Sequence, residues 1–179
     1  MTTRLATANP SEATGPVVDY FTAIKKSAGK VPNLYVTVGS LSPDSLGVVL
    51  NIEGALAKSS LPKIDIEVVK LAVSEASGCD YCLAAHTLMG KAAGLTLHDI
   101  HNVRAGAATG DAKRDALVHF VHTLVKTSGT LPASEVEALQ AAGYSDRQLI
   151  EIALAVASIT FTNLVNRMND TTLDFPAAK

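Results

Sequence analysis

The 179-residue sequence predicts an all-α protein, and three observations support this fold class. Ala, Leu and Val dominate while aromatic residues make up 4% of the chain, a composition typical of closely packed helices. Pro and Gly separate segments whose apolar residues recur at helical spacing. The sequence contains no convincing pair of strands joined by a hairpin turn. With 47% hydrophobic residues, the chain can bury a sizeable core.

We interpret residues 1–179 as a single domain with three parts: an N-terminal helical extension over about 1–58, a core over 59–170, and a tail over 171–179 that forms an extended arm. In the extension, "GPVVDYFTAIKKSAG" predicts a helix that ends at Gly29. "KVPNLYVTVGSLSP" alternates like a strand, but its flanking Pro and Gly are equally compatible with a short helix and a loop. The next helix begins with Ser42 as N-cap and Pro43 at the first helical position.

The core begins with "SSLPKIDIEVVKLAVSEASG", a helix capped by Ser59 or Ser60 that stops near Gly78. A second core helix runs from about Cys79 to Ala93 and is closed by Gly94. Further helices are predicted at 97–107, 112–128, 133–141 and 146–168.

A weak internal echo links "DIEVVKLAV" over 65–73 to "QLIEIALAV" over 148–156. It is compatible with an old duplication of a helical hairpin whose second copy has Asn163 and Asn166 roughly where cysteines would fall. Chance similarity between Ala/Leu/Val-rich helices is equally compatible with it.

Charge and hydropathy exclude several classes of partner. The formal net charge is -2 and no basic block occurs, so we expect no nucleic-acid partner. "MTTRLATANPSEATG" lacks the apolar segment of a secretory signal. The most apolar stretch, "LIEIALAVASITFTNLV", carries Glu151 and Asn163, which indicates a buried helix and no membrane partner. We therefore expect a cytoplasmic protein.

The segment "GCDYCLAAH" holds both cysteines of the chain, Cys79 and Cys82, followed by His86. On a helix that advances about 100° per residue, the three side chains fall within an arc of roughly 60°. A thiol at a helix start lies near unpaired N–H groups, which lower its pKa, and a nearby imidazole lowers it further. The segment thus holds the parts of a redox dithiol: an attacking thiolate, a resolving thiol and an acid/base.

Other interpretations remain open from the residues alone. A structural zinc site needs a fourth ligand, for which Glu67 or another histidine would have to serve. Two buried thiols beside a core histidine are also compatible, whereas Leu83 directly after the second cysteine argues against c-type haem attachment. Two histidine pairs lie one turn apart and are more typical of helix surfaces or interfaces than of metal sites: His98 with His101, and His119 with His122. Tyr81 is expected to point away from the thiols.

The stretch "EVVKLAVSEASGCDYCLAAH" resembles the signature of the alkylhydroperoxidase D (AhpD)/carboxymuconolactone decarboxylase superfamily. That signature is a Glu, eleven residues, C-x-x-C, three residues and a His, and Glu67, Cys79, Cys82 and His86 match it at every spacing. The likeness extends from about Leu61 to Pro176 and is closest to the peroxidase-related branch.

The resemblance implies an AhpD-like helical bundle that assembles as a homo-oligomer, often a trimer or hexamer. It implies reduction of a small hydroperoxide without a cofactor, with a lipoylated protein or a thioredoxin-like donor supplying the dithiol reductant. Carried over, Cys82 is the peroxidatic cysteine, Cys79 the resolving one, and Glu67 and His86 the proton relay.

Tyr81 stands where AhpD has a second histidine, so the same lipoylated reductant does not follow automatically. The decarboxylase branch lacks the cysteine pair, which makes lactone decarboxylation the less expected activity. The rival to an enzyme is a redox-sensing or zinc-binding module.

Two arguments bear on which thiol attacks. The helix dipole alone favours Cys79, whereas His86 is one turn from Cys82 and two turns from Cys79. A close imidazole is the better proton partner, and the family pattern agrees, so we expect Cys82 to attack.

Glu67, set between Ile66 and Val68, has an apolar context that raises a carboxylate pKa unless the group is paired. From the preceding helix it could reach the same sulfur.

Overall fold

A computed structural model describes residues 3–7 and 9–178. Over these residues it contains nine α-helices, one short 3-10 helix at Pro10–Glu12 and no β-strand, which confirms the all-α prediction. Residues 1, 2, 8 and 179, which we included in the single domain and its tail, lie outside the described residues. The helices are α1 Val17–Ala28, α2 Asn33–Leu41, α3 Pro43–Ala57, α4 Lys63–Ser77, α5 Asp80–Ala92, α6 Leu97–Ala105, α7 Ala112–Lys126, α8 Ala133–Ala141 and α9 Asp146–Asn169.

Most helix ends follow local signals in the sequence. Capping boxes at Thr96 and Ser145 start α6 and α9, since each side chain accepts a backbone N–H that would otherwise have no partner. Helix α3 begins at Pro43 as predicted. The start of α4 differs, because Pro62 occupies the N-cap and the first helical residue is Lys63. The ambiguous segment after Pro32 is helix α2.

Helix α4 lies at the centre of the bundle and packs against α5, α6, α7 and α9. Its side chains point inward on nearly every face, so that Val68, Val69 and Leu71 are completely buried. Helices α1 and α2 pack against each other and against α3, and α3 in turn packs on α9. The beginning of α5, where the cysteines lie, is therefore enclosed between α4, α9 and the N-terminal helices.

Helix α9 is long and apolar enough to cross a membrane by length and composition, a property shared by the core helices of soluble proteins. Asn163, Asn166 and Asn169 are buried on the face that packs into the bundle, as expected for a core helix. The echo of α4 in α9 does not extend to a second hairpin, because α9 continues through the positions where α4 has ended at Gly78. The duplication stays a hypothesis.

The chain ends in a non-helical segment, Thr171–Ala178, which we call the C-terminal arm. It follows Asp170, whose left-handed backbone (φ 50°) ends α9 and turns the chain back over the bundle. Asn33 fixes the arm to the start of α2, because its Nδ2 donates to the Thr172 carbonyl at 2.9 Å. The arm consequently lies over the beginning of α5.

Candidate active site

Both cysteines lie where α4 gives way to α5. Gly78 adopts a left-handed conformation (φ 64°), which glycine tolerates without a Cβ clash, and it directs the chain into Cys79. Cys79 is the N-cap of α5 and not its first helical residue, and its sulfur accepts the backbone N–H of Cys82 at 3.4 Å. The two residues are 2% exposed, and both are free thiols.

The pKa values of the two thiols shift in opposite directions because the thiols are hydrogen-bonded to each other. This bond lowers the pKa of Cys79; burial opposes it and the Cys82 backbone N–H supports it. The same bond, together with burial, raises the pKa of Cys82 far above its usual range. Loss of the first proton from the pair therefore favours negative charge on Cys79.

Asn166, on α9, holds the sulfur of Cys82. Its Nδ2 donates to Cys82 Sγ at 3.2 Å, a contact that favours the thiolate and partly offsets the raised pKa of Cys82. Asn163, which the sequence echo placed roughly where a cysteine would fall, is hydrogen-bonded to Ser74 and Ser77 on α4. Only one of the two asparagines thus contacts a thiol among the described residues.

Glu67 and His86 form a direct pair beside the thiols. His86 Nδ1 lies 2.8 Å from Glu67 Oε2, and both side chains are almost buried. Since a carboxylate only accepts, Nδ1 is the donor in this contact and Nε2 is the ring nitrogen left for another partner. The sequence suggested that Glu67 could reach the sulfur of Cys82. In the structure its hydrogen bond goes to His86, so any relay from the thiol passes through the imidazole.

Two cavities meet the dithiol from different sides. The inner cavity, about 80 Å³, is lined by Cys82 and His86 and otherwise mainly by apolar side chains. The outer cavity, about 280 Å³, is lined by Cys79, Asn166 and Arg167. Each cysteine therefore has its own cavity, and Tyr81 lines both.

Tyr81 and the C-terminal arm form the wall between these cavities, contrary to the expectation that Tyr81 points away from the site. The Tyr81 hydroxyl donates to Asp174 Oδ1 at 2.7 Å and accepts the backbone N–H of Leu34 at 3.3 Å. Phe175 packs edge-on against the Tyr81 ring, with centroids 5.6 Å apart. The arm lies too far from the motif in sequence for spacing to have indicated this contact.

A second charged pair borders the inner cavity and was not anticipated from the sequence. Buried Lys70 binds Glu53 Oε2 at 2.7 Å, and Ser158 donates to Glu53 Oε1 at 2.7 Å. Burial acts to raise the pKa of Glu53, but Lys70 and Ser158 outweigh it and the pKa is lowered. Glu53 is therefore a carboxylate with both oxygens occupied. Tyr35, from α2, also lines this cavity.

Metal ligands are not grouped in the described part of the chain: no three His, Cys, Asp or Glu side chains there are placed to hold an ion. His119 lies 3.3 Å from Glu135, whereas His122 Nε2 lies 3.3 Å from the Val103 carbonyl oxygen. The imidazoles of this pair thus face different partners. Both members of the other predicted pair are exposed, namely His98 and His101.

Residues 43–118 match the Carboxymuconolactone decarboxylase family, and the match spans both cysteines, Glu67 and His86. No curated protein matches the chain significantly. A peroxidase-related protein from Ralstonia eutropha JMP134, described as an alkylhydroperoxidase AhpD core, shares the fold with a TM-score of 0.87 at 21% identity, covering 97% of this chain and 93% of that chain.

Two further solved structures have the same fold. A peroxidase-related protein from Silicibacter sp. TM1040 has a TM-score of 0.76 at 22% identity, covering 96% of this chain and 95% of that one. The debrominase Bmp8, in complex with 2,3,4-tribromopyrrole, has a TM-score of 0.78 at 19% identity, covering 97% of this chain and 93% of that one. The debrominase shows that this fold also supports other chemistry.

The family match over residues 43–118 and the shared helical fold both agree with the resemblance to the AhpD/carboxymuconolactone decarboxylase superfamily seen in the sequence.

Proposed function

We propose that this protein is a thiol-dependent hydroperoxide reductase in which Cys82 attacks the peroxide and Cys79 resolves the product. The observation that carries the proposal is the placement of Cys82 and His86 on one cavity, with Glu67 behind the imidazole and Cys79 beside the sulfur. A nucleophile, a base oriented by a carboxylate, and a resolving thiol are the parts such a reaction needs.

The reaction begins with one proton leaving the dithiol for His86 Nε2, and Glu67 stabilises the imidazolium. As Cys82 attacks the terminal oxygen of the hydroperoxide, the proton between the sulfurs moves to Cys79. A sulfur–oxygen bond forms and the oxygen–oxygen bond breaks, so that sulfur loses two electrons to the peroxide. The alkoxide takes the proton from His86 and leaves as an alcohol, with Cys82 as sulfenic acid.

Resolution follows within the same helix turn. The Cys79 sulfur attacks the sulfenic sulfur of Cys82, a disulfide forms, and water leaves. An external dithiol then attacks the disulfide, becomes oxidised to its own disulfide, and restores both thiols. The outer cavity reaches Cys79, which suits the entry of a lipoyl or thioredoxin-like reductant through a cavity that Cys82 does not line.

The pKa order of the two thiols, taken alone, would favour Cys79 as the attacking group. The cavities favour Cys82 as the attacking group, because Cys82 shares a cavity with His86 and Cys79 does not. Transfer of a single proton between hydrogen-bonded sulfurs interconverts the two monoanions. Asn166 stabilises the form with the charge on Cys82.

Steady-state consumption of tert-butyl hydroperoxide, with dihydrolipoamide or dithiothreitol as reductant, tests this function. We expect many turnovers by the wild type and none by Cys79→Ser or Cys82→Ser. If the protein is oxidised once and no dithiol supports turnover, the protein would be a redox sensor and not an enzyme. Failure of the wild type to consume peroxide at all would contradict both. The cytoplasmic location and the homo-oligomer stay predictions.

A further inference from the structure

We propose that Tyr35 is a catalytic residue whose hydroxyl donates a hydrogen bond to the leaving oxygen of the hydroperoxide bound beside Cys82. This inference rests on the proposed function. Tyr35 lines the inner cavity together with Cys82 and His86. It lies outside the sequence motif, in a helix that the sequence left ambiguous.

The start of α2 is fixed from two sides, which holds Tyr35 at the cavity. The backbone N–H of Asn33 donates to Asp174 Oδ2 at 3.2 Å, and that of Leu34 donates to the Tyr81 hydroxyl at 3.3 Å. These bonds occupy N–H groups that have no partner within the helix. Tyr35, the next residue, thereby has a defined position relative to Tyr81 and the arm.

The Tyr35 hydroxyl has no hydrogen-bond partner within residues 3–7 and 9–178, although the side chain is half-buried. Glu53 lines the same cavity, but its hydrogen bonds come from Ser158 and Lys70 and not from Tyr35. A half-buried hydroxyl that donates to no protein group is available to donate to a molecule that enters the cavity. Tyr35 lines the inner cavity, which is where such a molecule would bind.

The surroundings keep this hydroxyl protonated. Burial, then the negative charge of Glu53 and of Cys82, raises the pKa of Tyr35 far above its usual range. A phenol in this state donates and does not ionise at working pH. Tyr35 and Cys82 line the same cavity.

The chemistry calls for such a donor. When the Cys82 thiolate attacks the terminal oxygen, negative charge develops on the oxygen that carries the organic group. An O–H fixed at the cavity wall stabilises this charge before the proton from His86 arrives. Stabilisation is needed most when the leaving group is a poor one, such as an alkoxide, and least when it is a carboxylate. The inner cavity, with its apolar lining, suits small hydroperoxides with an apolar organic group.

The test compares Tyr35→Phe with Tyr20→Phe, a half-buried tyrosine on α1 that does not line this cavity. Single-turnover oxidation of Cys82 is measured with tert-butyl hydroperoxide, whose leaving group is an alkoxide, and with peracetic acid, whose leaving group is acetate. We expect Tyr35→Phe to slow the alkyl hydroperoxide on the order of 100-fold and to leave the peracid rate little changed. Tyr20→Phe should match the wild type with both. Tyr35→Met should repeat the substrate-dependent loss.

Equal slowing of both oxidants by Tyr35→Phe and Tyr35→Met would mean that Tyr35 only shapes the site, and it would overturn the donor role. Unchanged rates in Tyr35→Phe would overturn it as well. Both outcomes leave the peroxidase function intact. A wild type that neither oxidant oxidises at Cys82 would overturn the proposed function together with this inference.

Discussion

Cys79 and Cys82 differ by their positions relative to the helix start, and this difference organises the site at the residue scale. Cys79 caps α5 and accepts the N–H of Cys82, whereas Cys82 lies inside the helix and lines the inner cavity together with His86. The cap stabilises negative charge on Cys79, the thiol that we propose resolves. Cys82, the thiol that we propose attacks, depends on Asn166 and on proton transfer to gain its charge.

The first prediction concerns the ionisation of the dithiol. Because their hydrogen bond lowers the pKa of Cys79 and raises that of Cys82, one thiolate should form below the usual cysteine pKa and the second far above it. A titration by the ultraviolet absorbance of the thiolate should show one equivalent over the neutral and mildly alkaline range. Cys79→Ala should abolish this low step. Two equivalents that titrate together near the ordinary value would be inconsistent with a shared proton.

The second prediction concerns Glu67. The substitution Glu67→Gln removes the carboxylate that stabilises the His86 imidazolium, so we expect peroxide consumption to fall about 100-fold while the protein stays folded. Glu75→Gln is the matched control, because Glu75 lies on the same helix and pairs with Arg104 at 2.6 Å away from the inner cavity. Equal rates in the two variants would remove Glu67 from the relay.

At the scale of elements, the C-terminal arm completes the site. Asp174 accepts hydrogen bonds from Tyr81 and from the backbone of Asn33, and Phe175 forms part of the inner cavity wall. A segment without its own secondary structure thereby joins α2 to the start of α5. Its removal would open the cavity that holds Cys82.

The third prediction tests this contact. Asp174→Ala leaves the Tyr81 hydroxyl without its acceptor and frees the arm, so Cys82 should be alkylated several-fold faster at neutral pH. The free energy of unfolding should fall by about 1–2 kcal/mol because the lost acceptor serves a buried hydroxyl. Asp19→Ala, at an exposed position of α1, is the control. Alkylation at the wild-type rate would show that the arm does not restrict access to the thiol.

Sequence reasoning recovered the elements that carry local signals. Proline, glycine and capping residues mark most helix ends, so the predicted helices agree with the observed ones to within a few residues. It left α2 undecided, because an alternating apolar pattern between Pro32 and Gly39 fits a strand as well as a short buried helix. Tertiary packing, which local patterns do not encode, decides such a segment.

Local sequence patterns likewise indicate some residues of the candidate site, whereas only the fold brings the others to it. Fixed spacing on two consecutive helices indicated four residues: Glu67, Cys79, Cys82 and His86. Tyr35 and Glu53 reach the cavity from helices far away in sequence, and no local pattern distinguishes them from ordinary helix residues. The role of Tyr81 depends on its hydrogen bond to Asp174 in the C-terminal arm, 93 residues later in the sequence. No local pattern could predict this contact, because only the tertiary fold brings the two residues together.

At the scale of the whole molecule, apolar side chains remain exposed on α3 and α9. Val48 is 58% exposed and Phe161 lies beside it, on a surface cavity of about 330 Å³. Farther along α9, Leu164 and Met168 are also exposed. An apolar surface of this kind is typical of a protein–protein interface, which agrees with the predicted homo-oligomer.

The fourth prediction follows from this surface. Light scattering at micromolar concentration should give a mass that is a multiple of the 18.6 kDa chain. Phe161→Glu and Val48→Glu should lower that mass, because each places a charge in the apolar contact. Leu97→Glu, an exposed leucine on α6, should not. A monomer mass for the wild type would contradict the predicted assembly.

The division of labour between the two cysteines is the central claim, and mass spectrometry after a pulse of one equivalent of hydroperoxide tests it most directly. In Cys79→Ser, nothing can resolve the oxidised sulfur, so sulfenic acid should accumulate on Cys82 and be trapped there by a sulfenic-acid reagent. In Cys82→Ser, Cys79 should remain a thiol and the peroxide should persist. The wild type should form the Cys79–Cys82 disulfide within the same time. Sulfenic acid trapped on Cys79 in the Cys82→Ser protein, with Cys79→Ser inert, would contradict the claim and reverse the two roles.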